Sequence, residues 1–101
     1  MIKNEKLSGA LGLCRRAGKV TSGTFLVSEE IRKSRAALVL IASDAGKDAE
    51  RKMISLAQPR LIPVQRVSLT KSELALALGK EGEVNVVSVP KEFLNLVLAS
   101  L

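Results

Sequence analysis

Residues 37–43, ALVLIAS, form a continuous apolar run bounded by polar and charged residues. A run of this length without polar alternation is typical of a strand that is covered on both faces. We therefore predict that this segment is the central strand of a sheet with helices on both sides.

The segments before this strand predict a helix, a very short strand and a second helix. The first helix ends at Gly18 and has one apolar face, whose members are spaced by three and four: Leu7, Ala10, Leu11, Cys14 and Ala17. Residues 19–22 contain two β-branched side chains and predict the short strand. A second helix begins at Gly23, with Val27 and Ile31 facing inward.

Helices and strands continue to alternate after the central strand. Asp44 is predicted to cap a helix that ends before Pro59. Its buried stripe would be Ala49, Met53, Ile54 and Ala57. Residues 61–67 predict a strand, which Pro63 places at an edge of the sheet or at the strand's beginning.

The last third of the chain predicts a helix, a strand and a final helix. Ser68 or Thr70 can cap the first of these, with Glu73 completing a capping box and Gly79 closing the helix. Residues 83–89 alternate as a strand does. A helix follows Pro90, with the apolar stripe Phe93, Leu94, Val97, Leu98 and Leu101. The pattern predicts one α/β domain over residues 1–101, with a small sheet sandwiched between helices.

Composition excludes several classes of chemistry. The chain has no histidine and one cysteine, so a zinc site of Cys and His ligands, an intramolecular disulfide and a Ser-His-Asp triad are all excluded. It has no apolar run long enough for a signal peptide or a membrane span. We expect a cytoplasmic protein that is not an enzyme and has no cofactor, no small-molecule substrate and no membrane partner.

The positive charge is concentrated in the first third of the chain. Residues 1–35 hold eight cations and three anions, a net charge of +5, whereas the remainder holds eight and seven, a net charge of +1. The isoelectric point is about 9.9. A concentrated positive field attracts polyanions, which indicates a nucleic-acid partner.

None of the three Gly-Lys pairs forms a nucleotide-binding P-loop. That loop requires a glycine five residues before the pair and a hydroxyl directly after it. The pairs at 18–19, 46–47 and 79–80 are followed by Val20, Asp48 and Glu81. What remains is a general anion site, formed by the backbone amides that begin the second helix and by the cations that precede them in the sequence.

Three blocks carry a resemblance to a known family: LGLCRRAGKVTSG at 11–23, LVLIASDAG at 38–46 and TKSELALALGK at 70–80. In order and spacing they resemble the family of large-subunit ribosomal proteins seven-Ae and thirty-e, the kink-turn RNA binders, and within it the small bacterial YlxQ-like members. The resemblance implies a three-layer α-β-α sandwich with a small mixed four-stranded sheet. It also implies RNA binding without catalysis, with ribosomal RNA and the proteins of translation as partners.

The resemblance further implies an RNA surface made of three loops. The matching residues are Ser22, Gly23, Thr24, Ser43, Asp44, Ser68, Thr70 and Lys71. Arg15, Arg16 and Lys19 come just before the first loop. We expect these three cations to stand with Gly23 on one open face and to form a shallow cradle for RNA.

One departure from the family's pattern concerns the residues after Gly23. Kink-turn binders have a variable residue there, then Asn or Lys, then Glu or Gln, and later a Lys. This chain has Phe25, Leu26 and Glu29 at those later positions. Phe25 and Leu26 cannot supply the hydrogen bonds that read guanine, which argues against high-affinity kink-turn recognition. Contacts with the phosphate backbone need only cations, amides and hydroxyls.

Several of these residues have two interpretations. Phe25 is expected to be buried in the first helical turn, and the alternative is that it stacks on an unpaired base. Lys47 is expected on a solvated helix face, with RNA contact as the alternative, and Asp44 as a helix cap rather than a metal ligand. A rival to the RNA-binding hypothesis is an adapter of the translation machinery that uses Phe25 and Leu26 as an apolar anchor.

Overall fold

The protein is described by a computed structural model that covers residues 2–101, with side chains from Asn4 onward. The helices are α1 (Ile2–Arg16), α2 (Thr24–Arg32), α3 (Lys47–Ala57), α4 (Lys71–Ala77) and α5 (Leu94–Leu98). The strands are β1 (Thr21–Ser22), β2 (Leu38–Ile41), β3 (Val64–Arg66) and β4 (Val86–Val89). Short 3-10 turns at Gln58–Arg60 and Lys91–Phe93 precede β3 and α5.

The four strands form one mixed sheet in the order β1-β4-β2-β3. β4 is antiparallel to both of its neighbours, and β3 is parallel to β2. All four residues of β2 are buried, which confirms the predicted central strand. β3 lies at the edge and begins directly after Pro63, as expected from a residue that cannot donate a ladder hydrogen bond.

Helices cover both faces of the sheet and confirm the three-layer α-β-α sandwich. α2 and α3 pack together on one side, and α1 packs against α4 and α5 on the other. The aliphatic core between the layers includes Leu11, Ile31 and Met53, none of which is exposed. The strand predicted over residues 83–89 is confirmed as the shorter β4. Its burial does not alternate, because all four of its residues, including Ser88, are buried between helices on both faces of the sheet.

Two helix boundaries depend on local residues that the sequence identifies. The Thr70 hydroxyl accepts a hydrogen bond from the Glu73 backbone N–H at 3.2 Å, and the Glu73 carboxylate accepts one from the Thr70 N–H at 2.8 Å. This reciprocal capping box begins α4 as predicted. At its other end Gly79 has φ +66°, a left-handed conformation that glycine adopts without steric strain.

Three residues predicted on apolar stripes are exposed. Ala17 lies beyond the end of α1 at Arg16. Ile54 is 41% exposed, because it lies about 100° around the helix from the buried Met53. Leu98 is 48% exposed next to the buried Val97 for the same reason. Each stripe is therefore narrower than the pattern of apolar letters suggested.

Among residues 2–101, none of the helices combines the length and the apolar character that crossing a membrane requires.

Candidate nucleic-acid interface

The three predicted loops lie at the same end of the sheet. β1, β2 and β3 all run in one direction, since β1 and β2 are antiparallel to β4 and β3 is parallel to β2. Their carboxyl ends therefore share one edge with the beginning of β4. We call this edge the loop end; it contains the segments 22–24, 43–44 and 68–71.

Backbone hydrogen bonds join these loops to one another. The Gly23 N–H donates to the Val86 carbonyl at 3.1 Å, which attaches the first loop to the start of β4. The Ser43 N–H donates to the Leu69 carbonyl at 2.8 Å, which attaches the second loop to the third. The Ser68 hydroxyl also contacts the Asn4 side chain at the beginning of α1. The loop end is thus a continuous surface.

Asp44 lies in the second loop, but its carboxylate belongs to the start of α4. The prediction that Asp44 caps α3 is wrong, because Gly46 occupies that N-cap position. Oδ1 of Asp44 instead accepts a hydrogen bond from the Lys71 backbone N–H at 2.7 Å. Asp44 therefore satisfies a free amide at a helix start, as predicted for a cap. The helix is α4, which follows the third loop, and not α3, which follows Asp44 in the chain.

Arg66 holds the second loop from the edge strand β3. Its Nη1 donates to the carbonyls of Ala42 and Ser43, each at 2.9 Å, and its Nη2 donates to Oε1 of Glu50 at 2.8 Å. The hydrogen bond from Arg66 is the main cause that lowers the pKa of the Glu50 carboxyl, with the charges of Arg66 and Lys47 acting in the same direction. The role of Arg66 was not predicted, because its partners lie 16 to 24 positions away in the sequence.

The first loop begins α2 without a side-chain cap. Gly23 is the N-cap residue at φ +95°, and within residues 4–101 no side chain accepts a hydrogen bond from the first-turn amides. Ser22 and Thr24, on either side of it, are half-buried, and the Ser28 hydroxyl donates to the Thr24 carbonyl at 2.7 Å. The first-turn N–H groups of α2 are therefore available as donors to an anion.

A shallow hollow of about 210 Å³ lies beside this helix start. We call it the basic hollow, because two of its lining residues are Arg15 and Lys80; the others are Val20, Thr21, Ser22, Leu26 and Leu78. Neither cation forms an ion pair with an acidic residue in the described part of the chain. Two cationic residues beside a small concavity that Thr21 and Ser22 also line are suited to hold a phosphate group.

Arg15 approaches the backbone at the end of α4 closely. A Cβ placed on Gly79 would lie 2.5 Å from the Arg15 Cζ atom, so only glycine leaves room for the guanidinium there. Lys80, the next residue, was not among the residues predicted for the RNA surface. The available signal was its position as the last residue of the third family-like block, directly after a helix-closing glycine.

The other predicted cations do not join this hollow. Lys19 lies at the opposite end of β1 from Gly23, and its Nζ is 3.6 Å from Oε2 of Glu92, which follows β4. Arg16 is exposed and lies about 200° around α1 from the buried Cys14, so it faces away from the core. The expected cradle of Arg15, Arg16 and Lys19 is therefore wrong, and Arg15 is the member that the fold places near Gly23.

Lys71 and Lys47 occupy the rim of the loop end. Lys71 Nζ lies 3.6 Å from Oε1 of Glu83, an ion pair that reduces its availability to an anion. Lys47 is the exposed first residue of α3. Within the described residues no group of three or more His, Cys, Asp or Glu side chains is placed to hold a metal ion.

Phe25 and Leu26 are both exposed in the first turn of α2. Phe25 is 72% exposed and Leu26 is 55% exposed, so the expected burial of Phe25 is wrong. The inward face of α2 is formed by Val27, Ser28 and Ile31, and Phe25 lies outside it. An aromatic side chain therefore projects from the loop end.

The architecture is that of a three-layer α-β-α sandwich: a mixed four-stranded sheet lies between two helical layers, and three of its loops lie at one end. Residues 5–96 match the Ribosomal protein L7Ae/L30e/S12e/Gadd45 family, and the chain belongs to this family.

Two curated relatives carry the name RNA-binding protein YlxQ. The chain is 36% identical to the one from Bacillus subtilis strain 168 over 91 residues, covering 90% of each chain. It is 28% identical to the one from Enterococcus faecium over 80 residues, covering 79% of this chain and 77% of the relative.

Solved structures share the fold. A protein of unknown function from Bacillus halodurans C superimposes with a TM-score of 0.85 at 30% identity, covering 95% of each chain. The Giardia lamblia 15.5kD RNA binding protein superimposes with a TM-score of 0.79 at 16% identity, covering 99% of this chain and 85% of that one. The second likeness concerns the fold alone.

Proposed function

We propose that residues 1–101 act as one RNA-binding domain without catalytic activity, which holds the phosphate backbone of RNA at the loop end. The observation that carries this proposal is that Arg15 and Lys80 line the basic hollow together with Thr21 and Ser22. Membership of the L7Ae family supports it, as does the name RNA-binding protein that both YlxQ relatives carry.

The proposed RNA path starts in the basic hollow and continues along the loop end. Ser22, Gly23 and Thr24 would contribute hydroxyls and backbone amides to it. Ser43, Ser68, Thr70, Lys71 and Lys47 would lie along the rim. Asp44 keeps the loops together rather than touching phosphate, because a carboxylate repels it. Arg16 and Lys19 add to the positive field without direct contact.

The finer parts of the proposal concern the partner and its setting. We infer that the RNA is ribosomal and that the protein acts in the cytoplasm with the translation machinery, without a cofactor. The family to which the chain belongs carries the name of ribosomal proteins, which supports this inference. Phe25 and Leu26 lack the polar groups that would read a kink-turn, so recognition is proposed to depend on backbone and shape.

The proposal is tested by measuring RNA affinity as a function of salt concentration. A dye-labelled single-stranded RNA is titrated with the protein, and the logarithm of affinity is plotted against the logarithm of salt. Removing two phosphate contacts with Arg15→Gln and Lys80→Gln should reduce the slope by about 1.4 for a single strand. The double variant should also bind more weakly at every salt concentration.

The matched control removes two charges elsewhere. Lys33→Gln with Lys52→Gln changes the net charge by the same amount, and both side chains are exposed on the α2 and α3 layer. This control should keep the wild-type slope. Equal slopes for both double variants would overturn the assignment of the basic hollow, and an affinity independent of salt would overturn phosphate binding itself.

A second candidate function is favoured by the exposure of Phe25 and Leu26, at 72% and 55%. In this function the two side chains anchor a protein of the translation machinery, and the chain acts as an adapter. Phe25→Ala would then abolish capture of that protein while leaving RNA affinity unchanged. A loss of RNA affinity in Phe25→Ala would instead assign this side chain to RNA binding.

A further inference from the structure

Phe25 is an aromatic side chain without a structural role in the core. The chain contains two aromatic residues, and the other one, Phe93, is half-buried against the core. Phe25 is 72% exposed on the second residue of α2. Burial therefore does not explain why a large ring occupies this position.

Exposure alone would not point to a ligand. Leu61 and Leu76 are 91% and 79% exposed at other places, and single exposed apolar residues are ordinary on protein surfaces. What distinguishes Phe25 is its neighbourhood: the next residue, Leu26, lines the basic hollow together with Arg15 and Lys80. An aromatic ring adjacent to a cationic concavity is the combination with which proteins bind single-stranded nucleic acid.

We propose that Phe25 is a stacking platform for one unpaired base of the RNA whose backbone lies in the basic hollow. This inference rests on the proposed RNA-binding function and names the class of RNA: a single strand or a loop with an unstacked base. Phe25 and Leu26 project about 100° apart around the helix. A nucleotide with its phosphate in the hollow beside Leu26 would lie next to Phe25, the preceding residue of α2, whose ring is exposed.

Charge complementarity favours a nucleotide over an apolar protein segment at this place. Arg15 and Lys80 have no acidic partner among the described residues. An apolar segment that covered the hollow would remove both charges from water without neutralising them, which is unfavourable. A nucleotide offers an anion to the cations and a flat apolar face to Phe25.

The proposal predicts that a continuous duplex gains nothing from Phe25. Bases inside an RNA helix are stacked on one another, so their faces are not accessible to a side chain. The duplex would still interact with Arg15 and Lys80 through its phosphates. Phe25 should therefore affect the binding of single strands and of duplexes differently.

The experiment compares affinity for a single-stranded RNA of about twelve nucleotides, long enough for such a surface, with affinity for a duplex of the same sequence. Phe25→Ala should weaken single-strand binding by about 5-fold to 150-fold, as expected for the loss of one stacked base, and should leave duplex binding unchanged. Phe25→Tyr should retain wild-type affinity because it keeps the ring. Leu76→Ala, which removes another exposed apolar side chain, should have no effect.

A spectroscopic readout reports stacking directly. Single strands with 2-aminopurine at successive positions are titrated with the wild-type protein and with Phe25→Leu, which keeps apolar bulk but has no ring. Stacking should change the fluorescence at one position with the wild-type protein and not with Phe25→Leu.

Each contrary result has a separate meaning. If Phe25→Ala binds single strands as the wild type does while the Arg15→Gln, Lys80→Gln variant is weakened, stacking is overturned and the proposed function stands. Equal losses on single strand and duplex, or full affinity of Phe25→Leu, would also overturn stacking. If the wild-type protein binds neither RNA, the proposed function fails together with this inference.

Discussion

Asp44 and Lys71 are joined across 27 residues by a hydrogen bond of 2.7 Å from the Lys71 backbone N–H to the Asp44 carboxylate. Lys71 is the first residue of α4, whose start is also closed by the Thr70 and Glu73 capping box. The loop between β2 and α3 therefore supplies part of the cap of α4, which begins at the neighbouring loop. Two loops of the candidate interface are coupled through one carboxylate.

Replacement of Asp44 should lower the stability of the protein. Asp44→Ala leaves the Lys71 amide without its acceptor, and loss of such a cap costs about 1 kcal/mol in the free energy of unfolding. Asp44→Asn keeps an acceptor oxygen and should cost less. Urea denaturation followed by circular dichroism measures both variants.

The control for this prediction is Asp48→Ala. Asp48 is fully exposed, and its ion pair with Arg51 at 3.8 Å is of the surface kind that contributes about 0 to 1 kcal/mol. Asp48→Ala should therefore have a smaller effect than Asp44→Ala. If the two alanine variants are equally stable, the cross-loop hydrogen bond does not contribute to folding.

Gly79 should be intolerant of a side chain. Gly79→Ala puts a side chain on a residue that has a left-handed backbone conformation. The added Cβ would lie 2.5 Å from the Arg15 Cζ atom, which is too close for the guanidinium to keep its position. We expect a loss of about 1 to 2 kcal/mol in the free energy of unfolding. Because Arg15 must move, RNA affinity should fall as well.

Gly9 provides the opposite case in the same protein. It lies inside α1, and a Cβ at this position would meet no atom within 4 Å. Gly9→Ala should stabilise the protein by about 0.5 to 1 kcal/mol, because alanine is the better helix former. Thermal unfolding of both variants checks the pair, and a destabilised Gly9→Ala would contradict this explanation of the glycines.

Local signals in the sequence were sufficient to predict most of the fold. The buried run at 38–41, the capping box of Thr70 and Glu73 and the edge position of the strand after Pro63 are each encoded within a few residues. Such features depend on backbone propensity and on nearby hydrogen bonds, which neighbouring residues determine. They could therefore be read before the tertiary structure was known.

The positions of the charged side chains could not be predicted in the same way. Lys19 precedes the short strand β1, and the antiparallel pairing with β4 carries it toward Glu92 and away from Gly23. Lys80 is remote from Arg15 in sequence, yet both line the basic hollow. Proximity in sequence grouped Lys19 with Arg15, whereas the register of the sheet determines which cations lie together.

The exposure of Phe25 was mispredicted although the inward face of α2 was predicted correctly. Val27 and Ile31 face inward together with Ser28, and Phe25 lies about 200° around the helix from Val27, on the opposite face. Ser28 satisfies its hydroxyl within the helix through the Thr24 carbonyl, which permits a polar residue on the buried face. This arrangement leaves the larger and more apolar Phe25 in solvent.

Cys14 should react with thiol reagents only after the protein opens. The side chain is buried, and burial raises the pKa of the thiol, so the reactive thiolate is disfavoured. Labelling with a disulfide reagent should be slow in buffer and should accelerate with added urea. A thiol introduced by Ser72→Cys on the exposed face of α4 should react at once, and equally rapid labelling of both would contradict the burial of Cys14.

The ion pair between Arg66 and Glu50 should make the stability of the second loop depend on pH. The hydrogen bond from Arg66 lowers the pKa of the folded Glu50 carboxyl from its usual value of 4.5, so the unfolded chain binds a proton more readily than the folded protein. The resulting stabilisation is present above pH 4.5 and is lost as the pH falls through the lower, folded pKa. Glu50→Gln should therefore have a lower melting temperature than the wild type at neutral pH, and the difference should disappear in acid. In an Arg66→Gln background the same substitution should produce no pH-dependent difference, and a gap that persists unchanged into acid would show that the pair does not stabilise the loop.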